Sequence, residues 1–510
     1  MPLYLREYLF LVPNVLFVTA IFLATCKKRL FFEWGALWLI IWSIAYLLRG
    51  IYLIGTFIFF VGVIISSKTR GERIAYYFLL LPVLPLFVSV ELPGLIPGIR
   101  AWIDFNVPVM LALFVLLPLS MKVFFFGGPK DRLFVFKADK YMAFLLILLF
   151  ALSFRNPTLT SGLRQVSLHF LQVLLPYYAI SRALKKREDF EIVFYAIAFS
   201  GMIVASVGII EAVKHWPMFL SLIDIMHLTT APISPFVLRG GLLKIGSTFT
   251  SGTPAGYFLT AVIAILFFLK NFSKLNKQLI YLIAAMCFVT IFFTAARGAW
   301  LSFLVMAAVV AMYQKGKKMK FILVFLLGLY VVLPFLEWTP VGHAIAQKLG
   351  QVVPTSTSHE EYGSIDYRTK LIQASITTMS FNPWFGSKDY LEADEMQAMM
   401  QGEGIIDVVN TYFGIGLAYG WVGLTLFALI FINTAWNLFI LANNRKLRKQ
   451  SEYFSQMATI FLAIFITTIV VIGTISSVSL LPHYYWALTG VAAALIRVAT
   501  DIKKDGAVLK

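Results

Sequence analysis

Residues 190–212 read FEIVFYAIAFSGMIVASVGIIEA, and Arg182, Lys185, Lys186 and Arg187 stand just before them. A helix crosses the ~30 Å hydrocarbon core of a bilayer with about 20 predominantly apolar residues. This stretch qualifies, and the pattern recurs along the chain. About fifteen spans are expected, near 8–26, 32–48, 51–67, 75–91, 106–126, 140–154, 167–181, 190–212, 253–270, 277–294, 297–313, 320–336, 413–440, 457–474 and 482–497. The pair on either side of Arg49, and the short pair 140–154 and 167–181, could each be fused, tilted or re-entrant. The first span lacks the basic leader and small-residue cleavage site of a secretory signal.

Composition agrees. Of 510 residues, 60% are apolar and 13% charged, and the mean hydropathy is +0.83. A soluble globular protein carries about 25% charged residues, so an ordinary cytosolic enzyme is excluded. The 16% aromatic content excludes a disordered chain. Two cysteines cannot build a disulfide framework.

The formal charge of +18 reports topology rather than nucleic acid. Of 43 Lys and Arg, 29 fall in seven short connections and the C-terminal tail, beginning at residues 27–29, 68–73, 130–140 and 182–187 and continuing at 270–277, 315–320, 445–449 and 497–510. Every second connection is basic, as the positive-inside rule requires. These residues face the cytoplasm and its anionic lipid, and so does the C-terminus. With fifteen spans the N-terminus lies outside; with an even number it lies inside.

Two long connections, roughly 212–252 and 337–411, fall on the outer side. The second is acidic, and 366–381 within it reads as an amphipathic helix with Leu371, Ala374, Ser375 and Thr378 on one face. A connection this long is normally functional or partly structured.

Most motif-like features have plain explanations. Gly414, Gly416 and Gly420 suggest a dinucleotide fingerprint with one residue too many, and close helix packing explains them better. Glu392 and Asp394 read as a solvated face, and no histidine pair has metal-ligand spacing. Cys26 and Cys287 lie in spans as packing residues. The outer-side arginines, Arg155, Arg164, Arg239, Arg297 and Arg368, resist dismissal. Arg155 and Arg164 suit snorkelling at the interface. Arg297 sits in FFTAARGAWL at the outer end of a helical hairpin, where small neighbours would let another group approach. A desolvated guanidinium needs an anion, either a structural carboxylate or a bidentate phosphate.

These residues resemble a known family. Arg297-Gly-Ala-Trp300-Leu301 is similar to the signature of the O-antigen ligase and polymerase superfamily of bacterial envelope enzymes. In the family's order follow Tyr367-Arg368, Asn382-Pro383-Trp384-Phe385-Gly386, Val409-Asn410-Thr411-Tyr412 and Gly420-Trp421-Val422-Gly423-Leu424. Upstream, Gly246–Leu259 resembles the family's Gly/Asn-rich approach to a span. The motifs cover roughly 240–430, and hydropathy extends the likeness to 75–497, a twelve-span core with both ends inside. The expected organisation is a transmembrane extension (1–74), the first part of the core (75–336), a periplasmic loop (337–411) and the C-terminal helices with their tail (412–510). The fold class is thus all-α: a polytopic integral membrane bundle of about 12–15 helices with a large, partly helical periplasmic loop.

The resemblance implies a GT-C-like, metal-independent glycosyltransferase of the bacterial inner membrane, with no cofactor. Its donor is a glycan on undecaprenyl pyrophosphate, presented at the periplasmic face. Its partners are that donor, an acceptor glycan and membrane lipid, with other polysaccharide-assembly proteins left open. Arg297 and Arg368 would hold the pyrophosphate, with Arg239 and Arg164 as weaker candidates. Ligases of the family carry a His immediately before the Asn that ends the loop. Here that residue is Val409, which cannot move a proton, and this tilts the reading toward a polymerase. Asp407 is the first candidate for the base, ahead of Glu403 and His483, and it equally suits a helix N-cap. Asn410, Tyr412 and Trp384 are candidates for binding sugar, against interfacial anchoring for Trp384. The rivals are an O-antigen ligase acting on lipid A-core, a transporter or flippase of lipid-linked glycan, and a structural scaffold.

Overall fold

A computed structural model describes residues 1–26, 28–91, 103–128, 131, 137–226, 238–239, 242–313, 359–401, 404–477 and 480–505. It is an all-α polytopic membrane bundle. Its first helices are α1 (Leu3–Cys26), α2 (Arg29–Leu47), α3 (Tyr52–Ser66) and α4 (Arg70–Leu80). A short antiparallel pair, β1 (Ser89–Glu91) and β2 (Asp104–Asn106), leads into α5 (Val107–Phe126). Then come α6 (Lys137–Ser153), α7 (Leu159–His169), α8 (Leu175–Ala183) and α9 (Arg187–Lys214). The hairpin pair α10 (Gly252–Phe272) and α11 (Lys277–Phe293) precedes α12 (Arg297–Tyr313). The loop helix is α13 (His359–Phe381), and the chain closes with α14 (Thr411–Ala442), α15 (Glu452–Ile472) and α16 (Leu481–Asp505).

Among the described residues nine helices are long and apolar enough to cross a membrane. The expected fifteen spans compare with these nine as follows. The span expected at 320–336 lies outside the described residues. Helix α11 has 17 residues, which at 1.5 Å per residue gives about 25 Å, while α6 and α12 each show 17 described residues and adjoin residues outside the described ones. The two ambiguous pairs are separate helices, split at Leu48–Ile51 and at 154–158. The span expected at 75–91 needs correction. Helix α4 has 11 residues and stops before Pro82 and Pro85. Proline donates no hydrogen bond and disfavours helix in the residue before it. Non-helical backbone is tolerated at membrane depth only where protein satisfies it. Here the indole of the buried Trp42 donates to the Val83 carbonyl at 2.7 Å.

Prolines mark two further irregularities. Single π turns, Ala112–Leu116 inside α5 and Phe170–Leu174 between α7 and α8, stand just ahead of Pro118 and Pro176. An inserted π turn is a usual accommodation of a lost helical hydrogen bond.

The stretch 190–212 forms the central helix, α9, buried along almost its whole length. The N-terminal helices dock on it. Phe22 and Phe31 meet Phe199, and Trp34, Trp38 and Trp42 recur every four residues as a fully buried stripe. Large apolar side chains stay exposed elsewhere, such as Phe57, Ile58 and Ile65 on α3 and Ile432, Trp436 and Phe439 on α14, as a lipid-facing surface requires.

Hydrogen bonds define two ends. At one end Lys185 and Arg497 pair with Asp131 at 2.6 and 3.4 Å, and Arg187 donates to the Phe272 carbonyl at 3.2 Å. This basic end holds the C-terminal part of α16. At the other end Glu7 accepts from the Ser221 hydroxyl and Thr411 donates to the Ile475 carbonyl at 2.9 Å. The starts of α1, α10, α12 and α14 lie here, so the N-terminus and the long loop share an end.

Candidate active site

The tip of the α11–α12 hairpin is a tight turn. Ala295 takes a left-handed conformation with φ 47°, and α12 begins at Arg297. The guanidinium therefore stands at a helix N-terminus, exposed, at the loop end of the bundle. Small residues around it let α10 pack closely against α12. A Cβ on Gly256 would lie 2.1 Å from the Ala299 Cβ, and one on Gly298 would lie 2.5 Å from Thr253.

The segment Gly246–Gly252 that lies beside this tip is held by a residue that the sequence alone does not single out. Glu211, buried at the end of α9, accepts from the Met218 amide at 2.9 Å and the Ser247 amide at 2.8 Å. Left-handed φ angles at His215, Phe219, Ser247 and Thr250 surround it. Such strain persists only where neighbours over-determine it, and the two carboxylate hydrogen bonds do so. The available signal is a carboxylate ending an otherwise apolar span.

In the long loop, α13 matches the expected amphipathic helix. Leu371, Ser375 and Thr378 are buried, and Leu371 shares a small core with Met379, Met396, Met399, Val408 and Leu417. Arg368 projects from this helix in an exposed position, and the adjacent Tyr367 hydroxyl donates to the Asp407 carbonyl at 3.2 Å. Tyr367 thereby ties the backbone at Asp407 to the helix that carries Arg368. Both lie at the same end as Arg297, since Thr411 is tied to the end of α15, which antiparallel packing sets beside the start of α10 through Tyr257 and Thr468 at 2.7 Å. Val409 packs partly buried against the loop core.

The N-cap of α14 is Asn410, not Asp407. Its side-chain oxygen accepts from the Tyr412 and Phe413 amides at 2.9 and 3.3 Å. Tyr412 donates to the Ile469 carbonyl at 2.9 Å, so its hydroxyl is tied inside the bundle. Asp407 is half-buried. Trp384 is exposed at 68%. Glu392 and Asp394 are not buried.

The remaining candidates disperse. Arg164 donates to both oxygens of Asp104 at 3.1 Å. Arg239 lies in a two-residue strand, Leu238–Arg239, paired with Leu242–Leu243; its side chain and Glu403 lie outside the described residues. His483 is buried in the first turn of α16, 4% exposed, where an acceptor hydroxyl has no access.

Two sequence motifs meet as one structure. Helix α14 is broken at Gly420, which has φ 66° and ψ −170°. A helix break orphans amides on one side and carbonyls on the other. The loop Asn382–Gly386 fills it: Trp421 donates to the Pro383 carbonyl at 2.7 Å and Val422 to the Trp384 carbonyl at 3.2 Å, while Ser387 donates to the Leu417 carbonyl at 2.9 Å. A Cβ on Gly420 would lie 2.3 Å from the Trp384 carbonyl, and Gly386, with φ 65°, is equally enclosed.

Residues 282–428 match the family described as O-antigen ligase. That stretch is similar to the O-antigen ligase family. No curated protein matches the chain. The matched stretch contains Arg297, Arg368, Asp407, Asn410, Tyr412 and Trp384, and leaves Arg164, Arg239 and His483 outside.

Proposed function

We propose that this chain transfers a glycan from a polyprenyl pyrophosphate, undecaprenyl in the usual bacterial setting, to a sugar hydroxyl, and that it acts as a polymerase of repeat units. The observation that carries this reading is the place of Arg297, a guanidinium at the N-terminus of α12 within the matched stretch. The helix dipole and the guanidinium together favour a phosphate there. The leaving pyrophosphate gains negative charge as the glycosidic bond breaks, and fixed cations stabilise that charge. Arg297 and Arg368 take this role. The acceptor hydroxyl gives its proton to Asp407, and needs no metal to do so.

The loop end then faces the periplasm of the inner membrane and the basic end faces the cytoplasm, which puts the C-terminus inside. Val409 at the position of the family's His favours polymerase over lipid A-core ligase. A broken helix is also a feature of transporters, where unwound backbone lines a substrate cavity. At Gly420 the break is filled by protein backbone, which supports the enzyme reading.

The test incubates the purified protein with defined lipid-pyrophosphate oligosaccharides and reads product lengths. A ladder supports a polymerase, and single addition to a different acceptor supports a ligase. No transfer to any acceptor, with intact folded protein, overturns the reading.

A further inference from the structure

Arg155 lies in the turn between α6 and α7, where the sequence suggests a snorkelling side chain. Its guanidinium instead reaches two other segments. One terminal nitrogen donates to the carbonyls of Gly386 at 2.8 Å and Phe385 at 3.1 Å, and the other donates to the carbonyl of Ala418 at 2.8 Å. Its Nε points back toward the Leu152 carbonyl at 3.4 Å.

The Ala418 contact completes the break in α14. In an unbroken helix Leu417 and Ala418 would accept from the amides of Trp421 and Val422. Those amides go to Pro383 and Trp384, so two carbonyls lose their partners. Ser387 satisfies Leu417 and Arg155 satisfies Ala418. A cation suits this position, because the first half of α14 ends here with its negative dipole end. The same guanidinium grips the loop directly after α13, the helix that carries Arg368. Arg presents several donors in a planar fork, whereas Lys offers one compact point of charge.

We propose that Arg155 is a positioning residue, which locks the end of α13 to the broken helix α14 and so fixes Arg368 and Asp407 relative to the membrane bundle. This rests on the glycan-transfer reading for its catalytic consequence. The lock itself does not.

The experiment uses the full-length protein with Arg155→Ala and Arg155→Lys. Hydrogen exchange at the amides of Ser387, Trp421 and Val422 reads the lock, and steady-state transfer from a lipid-pyrophosphate oligosaccharide reads its consequence. Arg155→Ala should speed exchange at those amides and lower kcat by roughly 10²-fold with KM for the donor changed by less than about twofold, since misplacement of about 1 Å can cost that much. Arg155→Lys should recover only part of each, and its protection pattern decides the matter if Arg155→Ala does not fold. Unchanged exchange, or a lysine variant equal to wild type in both readouts, overturns the proposal. Wild-type protein that shows the lock by exchange but transfers no glycan overturns the reaction and leaves the lock standing.

Discussion

The two ends of the bundle bury arginine to different extents. At the basic end Arg182 is fully buried, donates to Asp139 at 2.5 Å and to the Ser181 hydroxyl at 2.6 Å, and lies 4.9 Å from the Tyr178 ring. Asp139 also accepts from the Tyr177 hydroxyl at 2.6 Å. Arg497 is nearly as buried and shares Asp131 with Lys185. At the loop end Arg155, Arg297 and Arg368 are exposed, and the partners seen for Arg155 are backbone carbonyls. A guanidinium enclosed with a carboxylate is a structural member. The basic runs read as a topology signal in contact with anionic lipid, yet Arg182 and Arg497 turn inward, so that reading holds for the runs and not for every member.

Stability is where the ends should differ most. Removing one partner of a buried pair leaves the other charge uncompensated, at a cost of about 3–5 kcal/mol. Arg182→Ala should therefore lower the denaturation midpoint in detergent sharply. Replacing Arg182 with Met and Asp139 with Leu together should recover most of the loss, because apolar groups of similar volume often substitute without penalty. If Arg182→Ala melts like wild type, the structural role assigned to the basic end is wrong. At the loop end the order reverses. Arg297→Ala should lower the transfer rate by about 10²–10³ and leave the melting temperature in place. Equal loss of stability at both ends would erase the distinction.

Much of this is legible in the sequence, for identifiable reasons. Span boundaries follow from apolar length, which is local. The buried face of α13 follows from 3.6-residue spacing, and Leu371, Ser375 and Thr378 fall where that spacing puts them. The positions that mislead depend on non-local partners. Hydropathy counts apolar residues and does not register that Pro82 and Pro85 end α4 early. The glycines and alanines near Arg297 read as space until Gly256 and Ala299 are seen in contact. Arg164 meets Asp104, 60 residues away in sequence. The motifs around Trp384 and Trp421 are recognisable in the sequence, but their shared task, filling one helix break, emerges only when they pair.

Glycines test the break itself. At Gly420 a side chain would have to hold φ 66° against the Trp384 backbone. Gly420→Ala should cost about 1–3 kcal/mol for the left-handed strain alone, and should loosen the loop in limited proteolysis. Gly414 stands earlier in α14, and a Cβ there would meet nothing within 4 Å, so Gly414→Ala should gain roughly 0.5–1 kcal/mol from helix propensity. Equal effects at the two positions would mean that the break is not enforced by Gly420.

The smallest effect belongs to Arg164. Arg164 pairs with Asp104, but their side chains are 37% and 40% exposed. Water screens such a pair, and exposed ion pairs contribute about 0.2–1 kcal/mol. Arg164→Ala should therefore shift the melting curve only slightly, and high salt should shrink the wild-type difference further. Transfer activity should stay near wild type, because a guanidinium already engaged by a carboxylate offers little to a pyrophosphate. A rate loss comparable to that of Arg297→Ala would move Arg164 into the donor site and show that a carboxylate partner does not by itself mark an arginine as structural.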